Sequence, residues 1–233
     1  MTLLYEGKAK QVYNTDSPDE VIIKFKDDAT AFNGEKKDSF SGKGVVNTLF
    51  TRHFFNLLQS EGIKTHVISY LDEISLRAKK VKIFPLEVVV RNYAAGSICK
   101  RKGYEKGLKF DPPMCEFFLK DDAKGDPLIT EAEIFEMNLA TKEELDTIRQ
   151  TTLKINSIIS NYVDKKGVTL VDFKLEFGKT TEGEVILADE ISPDTCRFWK
   201  KGTTESLDKD VYRESKGDLV STYRHLAEIL GVK

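Results

Sequence analysis

The stretch Val171-Asp172-Phe173-Lys174-Leu175-Glu176-Phe177-Gly178 alternates apolar and charged residues over most of its length. Because successive side chains of a strand point to opposite faces, this pattern predicts a β-strand with one apolar and one charged face. The charged face carries Asp172, Lys174 and Glu176, which strand geometry spaces roughly 6.7 Å apart. Such a face is usually a solvated surface. Whether it forms a functional site instead depends on the residues that lie beside it.

A second charged segment, Ala188-Asp189-Glu190, follows a short apolar run. The run at residues 184–189 is predicted to pair with the first strand as a hairpin, with residues 179–183 as the turn. Carboxylates on adjacent strands supply the oxygen ligands that Mg²⁺ accepts beside nucleotide phosphates, which makes Glu176 and Asp189 candidate ligands. Simple alternation puts Asp189 in phase with the apolar residues before it. It must therefore lie at a strand end or bulge to face the same site.

Strand and helix patterns alternate through the first part of the chain. Strands are predicted at residues 3–7, 10–13, 21–26, 65–70, 74–84 and 86–92, with an amphipathic helix at 43–60. Later helices flank the hairpin, so we expect an α+β fold in two lobes. We place a mainly antiparallel β lobe with one helix at residues 1–84 and an α/β lobe at residues 85–233.

Turn and cap signals organise the second lobe. Residues 103–127 are rich in Gly, Pro and Asp, which predicts mostly loop with a short strand at 116–120. Thr141 and Glu144 have the spacing of a capping box at the start of a long helix that Gly167 ends. A last helix is predicted at residues 218–230.

Composition excludes several classes of protein. The 233 residues carry 36 Lys+Arg and 38 Asp+Glu, a net charge of -2 that disfavours a nucleic-acid binder. Cys99, Cys115 and Cys196 form no CxxC pair, so we expect neither a disulfide framework nor a zinc site. No signal peptide or membrane span is apparent, and with reduced cysteines this predicts a cytoplasmic protein.

The opening Tyr5-Glu6-Gly7-Lys8-Ala9-Lys10 places a glycine turn beside two lysines. Such a turn between strands can cover phosphates with backbone N–H groups and a cation. It lacks the Walker A pattern, and taken alone an ordinary hairpin turn with surface lysines is the better explanation.

A further anion site is indicated by two separate segments. In Val88-Val89-Val90-Arg91-Asn92-Tyr93-Ala94-Ala95-Gly96-Ser97, a buried strand leads to an arginine and then to small residues that open a short helix. The polar loop at residues 189–199 brings Arg197 toward the same cleft. The alternatives are an arginine at a strand end and a plain surface loop.

Taken together, these segments resemble the phosphoribosylaminoimidazole-succinocarboxamide synthases, also called SAICAR synthetases. The resemblance rests on five motifs in order across nearly the whole chain. They are YEGKAKQVY (5–13), VVVRNYAAGS (88–97), FFLKDDAKGDP (117–127), VDFKLEFG (171–178) and DEISPDTCRFW (189–199). The resemblance implies an N-terminal β lobe similar to that of protein kinases, with ATP between the lobes. It also implies ligation of L-aspartate to carboxyaminoimidazole ribotide (CAIR) through an acyl phosphate, and a homodimer.

The resemblance also implies roles for individual residues. Gly7, Lys8, Lys10, Lys120 and Glu176 are expected at ATP, with Glu176, Asp189 and Asp172 as Mg²⁺ ligands. Asp172 and Lys174 are expected to be catalytic, and Arg91, Ser97, Arg197 and Arg213 to bind the ribotide. The chain departs from the family pattern at Asn33, where many relatives carry an aspartate. An amide cannot supply a full negative charge to a metal, and the aspartate-binding groups are placed only loosely, near this loop and residues 38–43.

Two other functions use the same motifs. A small-molecule kinase would need the lysine turn and the Mg²⁺ carboxylates, although the chain has no His-Arg-Asp catalytic loop. A nucleotide-sensing module would bind ATP without turnover, and it leaves the second anion site unexplained.

Overall fold

A computed structural model describes residues 1–31 and 36–233 of the chain. The elements before residue 84 are β1 (Leu3–Glu6), β2 (Lys10–Asn14), β3 (Glu20–Phe25), β4 (Asp28–Ala31), β5 (Lys36–Ser39), α1 (Lys43–Ser60), β6 (Val67–Tyr70), β7 (Ser75–Lys79) and β8 (Lys82–Ile83). Those that follow, up to the long helix, are β9 (Leu86–Tyr93), α2 (Ser97–Lys102), β10 (Lys109–Leu119), a 3₁₀ turn (Asp122–Lys124), β11 (Leu128–Ile129), α3 (Glu131–Glu136) and α4 (Lys142–Asp164). The last are β12 (Val168–Lys179), β13 (Val185–Ala188), β14 (Cys196–Lys200), α5 (Asp210–Arg213) and α6 (Leu219–Leu230).

The first sheet is antiparallel and has the strand order β1-β2-β3-β7-β6. Helix α1 packs against it through apolar residues that recur every four positions. Phe50, Phe54 and Leu58 from this face are fully buried. The same helix also contacts α4 and α6, so it joins the sheet to the helices of the second half of the chain.

The second sheet has β12 at its centre and the strand order β11-β10-β9-β12-β13. Two more strands, β14 and β8, pair with other parts of β12. Because β12 is twelve residues long, it pairs with β9 in its middle while its two ends pair with different strands. This arrangement brings residues from four other segments of the chain to one strand.

Several sequence predictions are confirmed by these elements. The hairpin of β12 and β13 is present. Thr141 and Glu144 form both hydrogen bonds of the capping box ahead of α4. The helix predicted at residues 218–230 is α6, and the structure shows that Asp218 caps it by accepting a hydrogen bond from the backbone N–H of Ser221. These signals depend on residues only a few positions apart, which is why the sequence exposes them.

The loop predicted at residues 103–127 is wrong for its middle part, because β10 extends over eleven residues there. Pro112 and Pro113 suggested a loop, since proline cannot donate a hydrogen bond to a sheet. The pairing of β10 with β9 shifts register between Lys109 and Met114, and this irregular stretch accommodates both prolines. The polar loop predicted at 189–199 also ends early, because β14 begins at Cys196.

Strands of the first sheet all precede residue 80, and those of the second sheet start at Lys82. The lobe boundary at residue 84 stays a prediction. Among the described helices, none combines the length and apolar character that a membrane crossing needs.

Candidate active site

A cavity of about 470 Å³ lies between the first and the second sheet. Its apolar wall is formed mainly by the first sheet and by the segment that follows β7. The apolar residues are Leu4, Val12, Val21, Ile23, Val81 and Ile83. Its opposite end is charged and is lined by Lys10, Lys120, Lys174, Glu176, Asp189 and Glu190. Gly7 and Lys8, from the turn between β1 and β2, also line this cavity. We call it the first cavity.

Asp189 reaches the first cavity because β13 ends immediately before it. Glu176 of β12 pairs with Ala188, so the next residue on the second strand lies beside the charged face. Asp189 has a φ of 61°, a left-handed conformation that takes it out of strand alternation. The predicted position at a strand end is therefore confirmed. Aspartate and asparagine tolerate this conformation better than most residues do.

Lys10 links β2 to the segment that follows β13. Its ammonium group donates hydrogen bonds to Asp189 and, over 3.0 Å, to Glu190. Burial disfavours the charged form of Lys10, but the two carboxylates outweigh burial and raise its pKa. Burial likewise opposes the charge of Asp189, yet Lys10 and Lys174 hold the pKa of its carboxyl below the usual range. Both groups are therefore charged at neutral pH.

Lys174 occupies the middle of the charged face of β12. Its Nζ donates to Glu87 Oε1 and to Glu176 Oε1, each over 2.8 Å. Burial works against the charge, but Glu176 and Asp189 raise the pKa of Lys174 well above its ordinary value. Lys120, from the segment after β10, donates to the other oxygen of Glu176.

A second cavity, of about 170 Å³, adjoins the first one. Its charged residues are Glu87, Arg91, Asp172, Lys174, Asp194, Arg197 and Arg213, and Ser97 lies at its edge. Cross-strand register explains its centre, because Asp172 pairs with Arg91 of β9 on one side and with Arg197 of β14 on the other. Asp172 accepts hydrogen bonds from both guanidinium groups, at 2.8 Å and 3.0 Å.

Carboxylates hold the arginines of the second cavity in place. Asp210, at the start of α5, accepts hydrogen bonds from Arg197 Nε over 2.8 Å and from Arg213 Nη1 over 2.6 Å. Burial opposes the charge of Arg197, but Asp172 and Asp210 raise its pKa above the usual value. The guanidinium group lies so close to Gly96 that a Cβ there would be 2.5 Å from Nη2. A larger residue at this position would displace the arginine.

The two cavities have Glu87 and Lys174 in common. A ligand group that binds near this ion pair in one cavity therefore lies next to the other cavity. Glu87, Glu190 and Asp210 were not among the predicted site residues. A signal for Glu87 was present, because it is in phase with Arg91 along β9 and so shares its face.

Every predicted site residue that the structure describes lines one of the two cavities. The first cavity contains Gly7, Lys8, Lys10, Lys120, Glu176 and Asp189, the second contains Arg91, Ser97, Asp172, Arg197 and Arg213, and Lys174 lines both. Asp172 is thus separated from the other two predicted metal ligands and is paired with two arginines. Its metal and catalytic roles stay predictions. Asn33 lies outside the described residues.

The described residues contain no cluster of three or more His, Cys, Asp or Glu side chains arranged to hold a metal ion. Mg²⁺ does not need such a cluster, since it is commonly bound by one or two carboxylates, nucleotide phosphates and water. Glu176 and Asp189 are two charged-face carboxylates on adjacent segments at one end of the first cavity. This pair fits a nucleotide-bound Mg²⁺.

A glycine turn and lysines over a cleft, which adjoins a second, arginine-rich cavity, are the features of an enzyme that binds a nucleotide beside an anionic second substrate. The SAICAR synthetase family model matches residues 3–229. The chain belongs to this family.

Individual relatives agree with this assignment. A phosphoribosylaminoimidazole-succinocarboxamide synthase of Coprothermobacter proteolyticus is 51% identical over 231 residues, covering 99% of this chain and 98% of the relative. The solved structure of such a synthase from Ehrlichia chaffeensis has a TM-score of 0.96 and 43% identity, covering 100% of this chain and 99% of that one. A Type-2 SAICAR synthetase solved in complex with ADP has a TM-score of 0.95 and 46% identity, covering 98% and 97% of the two chains.

Proposed function

We propose that this chain uses ATP to join L-aspartate to the carboxylate of CAIR, with SAICAR, ADP and phosphate as products. This is a step of purine biosynthesis, and the family assignment over residues 3–229 supports it. The observation that carries the site proposal is the ion pair of Glu87 and Lys174, which both cavities share. Phosphoryl transfer between two bound substrates requires adjoining sites of this kind.

The nucleotide is proposed to lie in the first cavity. Its base would pack against the apolar wall, and its phosphates would lie at the charged end beneath the Gly7 turn. Lys10 and Lys120 would neutralise phosphate charge, since both line that end of the cavity. Glu176 and Asp189 would hold Mg²⁺ there. When bound, Mg²⁺ neutralises charge on the phosphate oxygens and orients them.

The ribotide phosphate is proposed to lie in the second cavity. Arg91 and Arg197 offer planar donors that suit a phosphate, and Ser97 and Arg213 lie at the same cavity. We propose that Asp172 acts by aligning the two arginines, because it pairs with both of them. The CAIR carboxylate would then extend toward Lys174.

The reaction follows in two displacements. A carboxylate oxygen of CAIR attacks the γ-phosphorus of ATP, the bond to the β,γ-bridging oxygen breaks, and ADP leaves. The neutral amine of aspartate then attacks the acyl carbon, the bond from that carbon to the phosphate oxygen breaks, and the nitrogen loses one proton. Lys174 stays protonated, because its pKa is raised, and it stabilises the negative charge of the reacting oxygens.

The cellular setting is proposed on the same basis. Purine biosynthesis on small-molecule substrates and reduced cysteines suit a cytoplasmic enzyme that needs neither a membrane nor a nucleic acid. We propose a homodimer on the basis of family resemblance, and sedimentation of the purified chain would test it.

The deciding experiment measures ADP release and product mass with Mg-ATP and CAIR, with and without L-aspartate. ADP together with the SAICAR mass, formed only when both substrates are present, is the expected result. ADP and a phosphorylated product without aspartate would identify a kinase instead. ATP binding by the folded protein with no turnover in either arm would contradict the ligase and favour a nucleotide-sensing module.

A further inference from the structure

Gly178, the last residue of the motif VDFKLEFG (171–178), lies buried in β12 against Val81. A Cβ at this position would be 2.4 Å from Val81 Cγ2 and 2.7 Å from Val81 Cβ. Real Cβ atoms do not approach other atoms so closely, so any side chain at position 178 would displace its neighbour. The backbone of Gly178 lies outside the positive-φ region in which glycine is favoured. Its need for glycine therefore comes from this contact alone.

Val81 belongs to the segment of residues 80–83 that connects the two sheets, which we call the interlobe segment. Backbone hydrogen bonds anchor this segment at both ends. Lys80 N donates to Asp19 O over 2.7 Å in the first half of the chain. At the other end, Ile83 pairs with Gly178 across β8 and β12. The segment therefore has little freedom to move along β12.

The interlobe segment is also a wall of the first cavity, through Val81 and Ile83. The ends of the segment are anchored and β12 lies behind it, and Val81 borders the open space of the first cavity. A Cβ at position 178 would push Val81 toward that space. The absence of a side chain at Gly178 thus determines how far Val81 stands from the apolar residues that the first sheet contributes to this cavity.

We propose that Gly178 is a positioning residue that sets the width of the nucleobase end of the first cavity by seating Val81 against β12. This inference rests on the proposed function, because it assigns the nucleobase to the apolar wall. It predicts an effect on the nucleotide and none on the ribotide, whose cavity does not include residues 80–83.

The test compares steady-state kinetics of Gly178→Ala, Gly178→Ala/Val81→Gly and Gly217→Ala with those of the wild type, along with the melting temperature of each. Gly217→Ala is the matched control, because a Cβ there meets nothing within 4 Å and the backbone is outside the positive-φ region. The double variant removes both Val81 atoms that the new Cβ would strike. Affinity for ADP, measured by calorimetry, provides a readout that does not depend on turnover.

We expect Gly178→Ala to raise the KM for ATP and the Kd for ADP by about tenfold or more, as a displaced binding wall does. The KM for CAIR should change by less than about twofold, and Val81→Gly should restore most of the nucleotide affinity. Gly217→Ala should behave as the wild type.

Unchanged nucleotide affinity in a folded Gly178→Ala variant would overturn the inference. So would a loss shared equally between ATP and CAIR, or one that Val81→Gly does not relieve. Failure of the wild type to form SAICAR would instead contradict the proposed function, and the ADP measurement would still decide the role of Gly178.

Discussion

At the scale of single residues, Asp189 offers a clean test of the charged end of the first cavity. Its φ of 61° is one that asparagine also tolerates, so Asp189→Asn removes the charge without straining the backbone. If the carboxylate holds Mg²⁺ at the nucleotide, kcat should fall about a hundredfold or more with the fold intact. Steady-state rates over a range of Mg²⁺ concentrations would measure this, with Glu176→Gln expected to behave alike.

Glu143→Gln, on the exposed start of α4, is the control for loss of a carboxylate. Arg197→Ala tests the second cavity instead of the first. It should raise the KM for CAIR and leave the KM for ATP nearly unchanged. Wild-type turnover in both Asp189→Asn and Glu176→Gln would show that the metal assignment is wrong.

At the scale of elements, Asp194 joins two helices to the loop between β13 and β14. It accepts hydrogen bonds from Lys43 of α1 over 2.6 Å, from Asn47 over 2.9 Å and from Tyr223 of α6 over 2.7 Å. Lys43 is fully buried, so Asp194 is the charge that balances it. The pKa of Asp194 is lowered, because the nearby lysines outweigh burial, which acts in the opposite direction.

Asp194→Asn should therefore lower the free energy of unfolding by about 3–5 kcal/mol, because it leaves a buried ammonium without a counter-charge. Urea unfolding would measure the change. Adding Lys43→Met should recover part of the loss, since it removes that buried charge.

The control for the Asp194 variant is Asp164→Asn, which breaks an exposed pair with Lys201. It should cost less than about 1 kcal/mol. Equal effects of the two substitutions would mean that the buried cluster does not hold the helices.

At the scale of the whole molecule, His66 makes stability depend on pH. The imidazole is 2% exposed, its Nε2 has no hydrogen-bond partner, and it packs edge-on against Phe55. Burial lowers its pKa from 6.5 to about 4. As the pH falls, His66 takes up its proton in the unfolded chain before it does so in the folded one. The contribution of neutral His66 to the free energy of unfolding is therefore present above pH 6.5 and is lost as pH falls toward 4.

The wild type should lose about 3 kcal/mol of unfolding free energy between pH 6.5 and pH 4 through His66, and His66→Gln should remove this loss. Unfolding free energies from urea titrations at several pH values would reveal it as a difference from the wild type. His225→Gln, on the exposed face of α6, is the control and should leave the pH profile unchanged. Parallel profiles for the wild type and His66→Gln would contradict the prediction.

The sequence by itself determined the features that depend on near neighbours. Alternation identified β12 and its charged face, and the spacing of Thr141 and Glu144 identified the start of α4. The resemblance supplied the predicted roles of the site residues, because alternation alone did not distinguish the charged face from a solvated surface. Residues 109–115 of β10 were missed, because prolines normally exclude a strand and only the register shift accommodates them.

The tertiary structure alone decided which charges meet. Lys10 pairs with Asp189 across 179 positions of sequence, and Arg91 pairs with Asp172 across 81. Local pattern cannot supply such partners, because they depend on which strands flank β12 and in what register. The same holds for Gly178. Only the packing of Val81 against it shows that no side chain fits at this position. Propensity acts over a few residues, whereas strand pairing and close packing act between segments far apart in the chain.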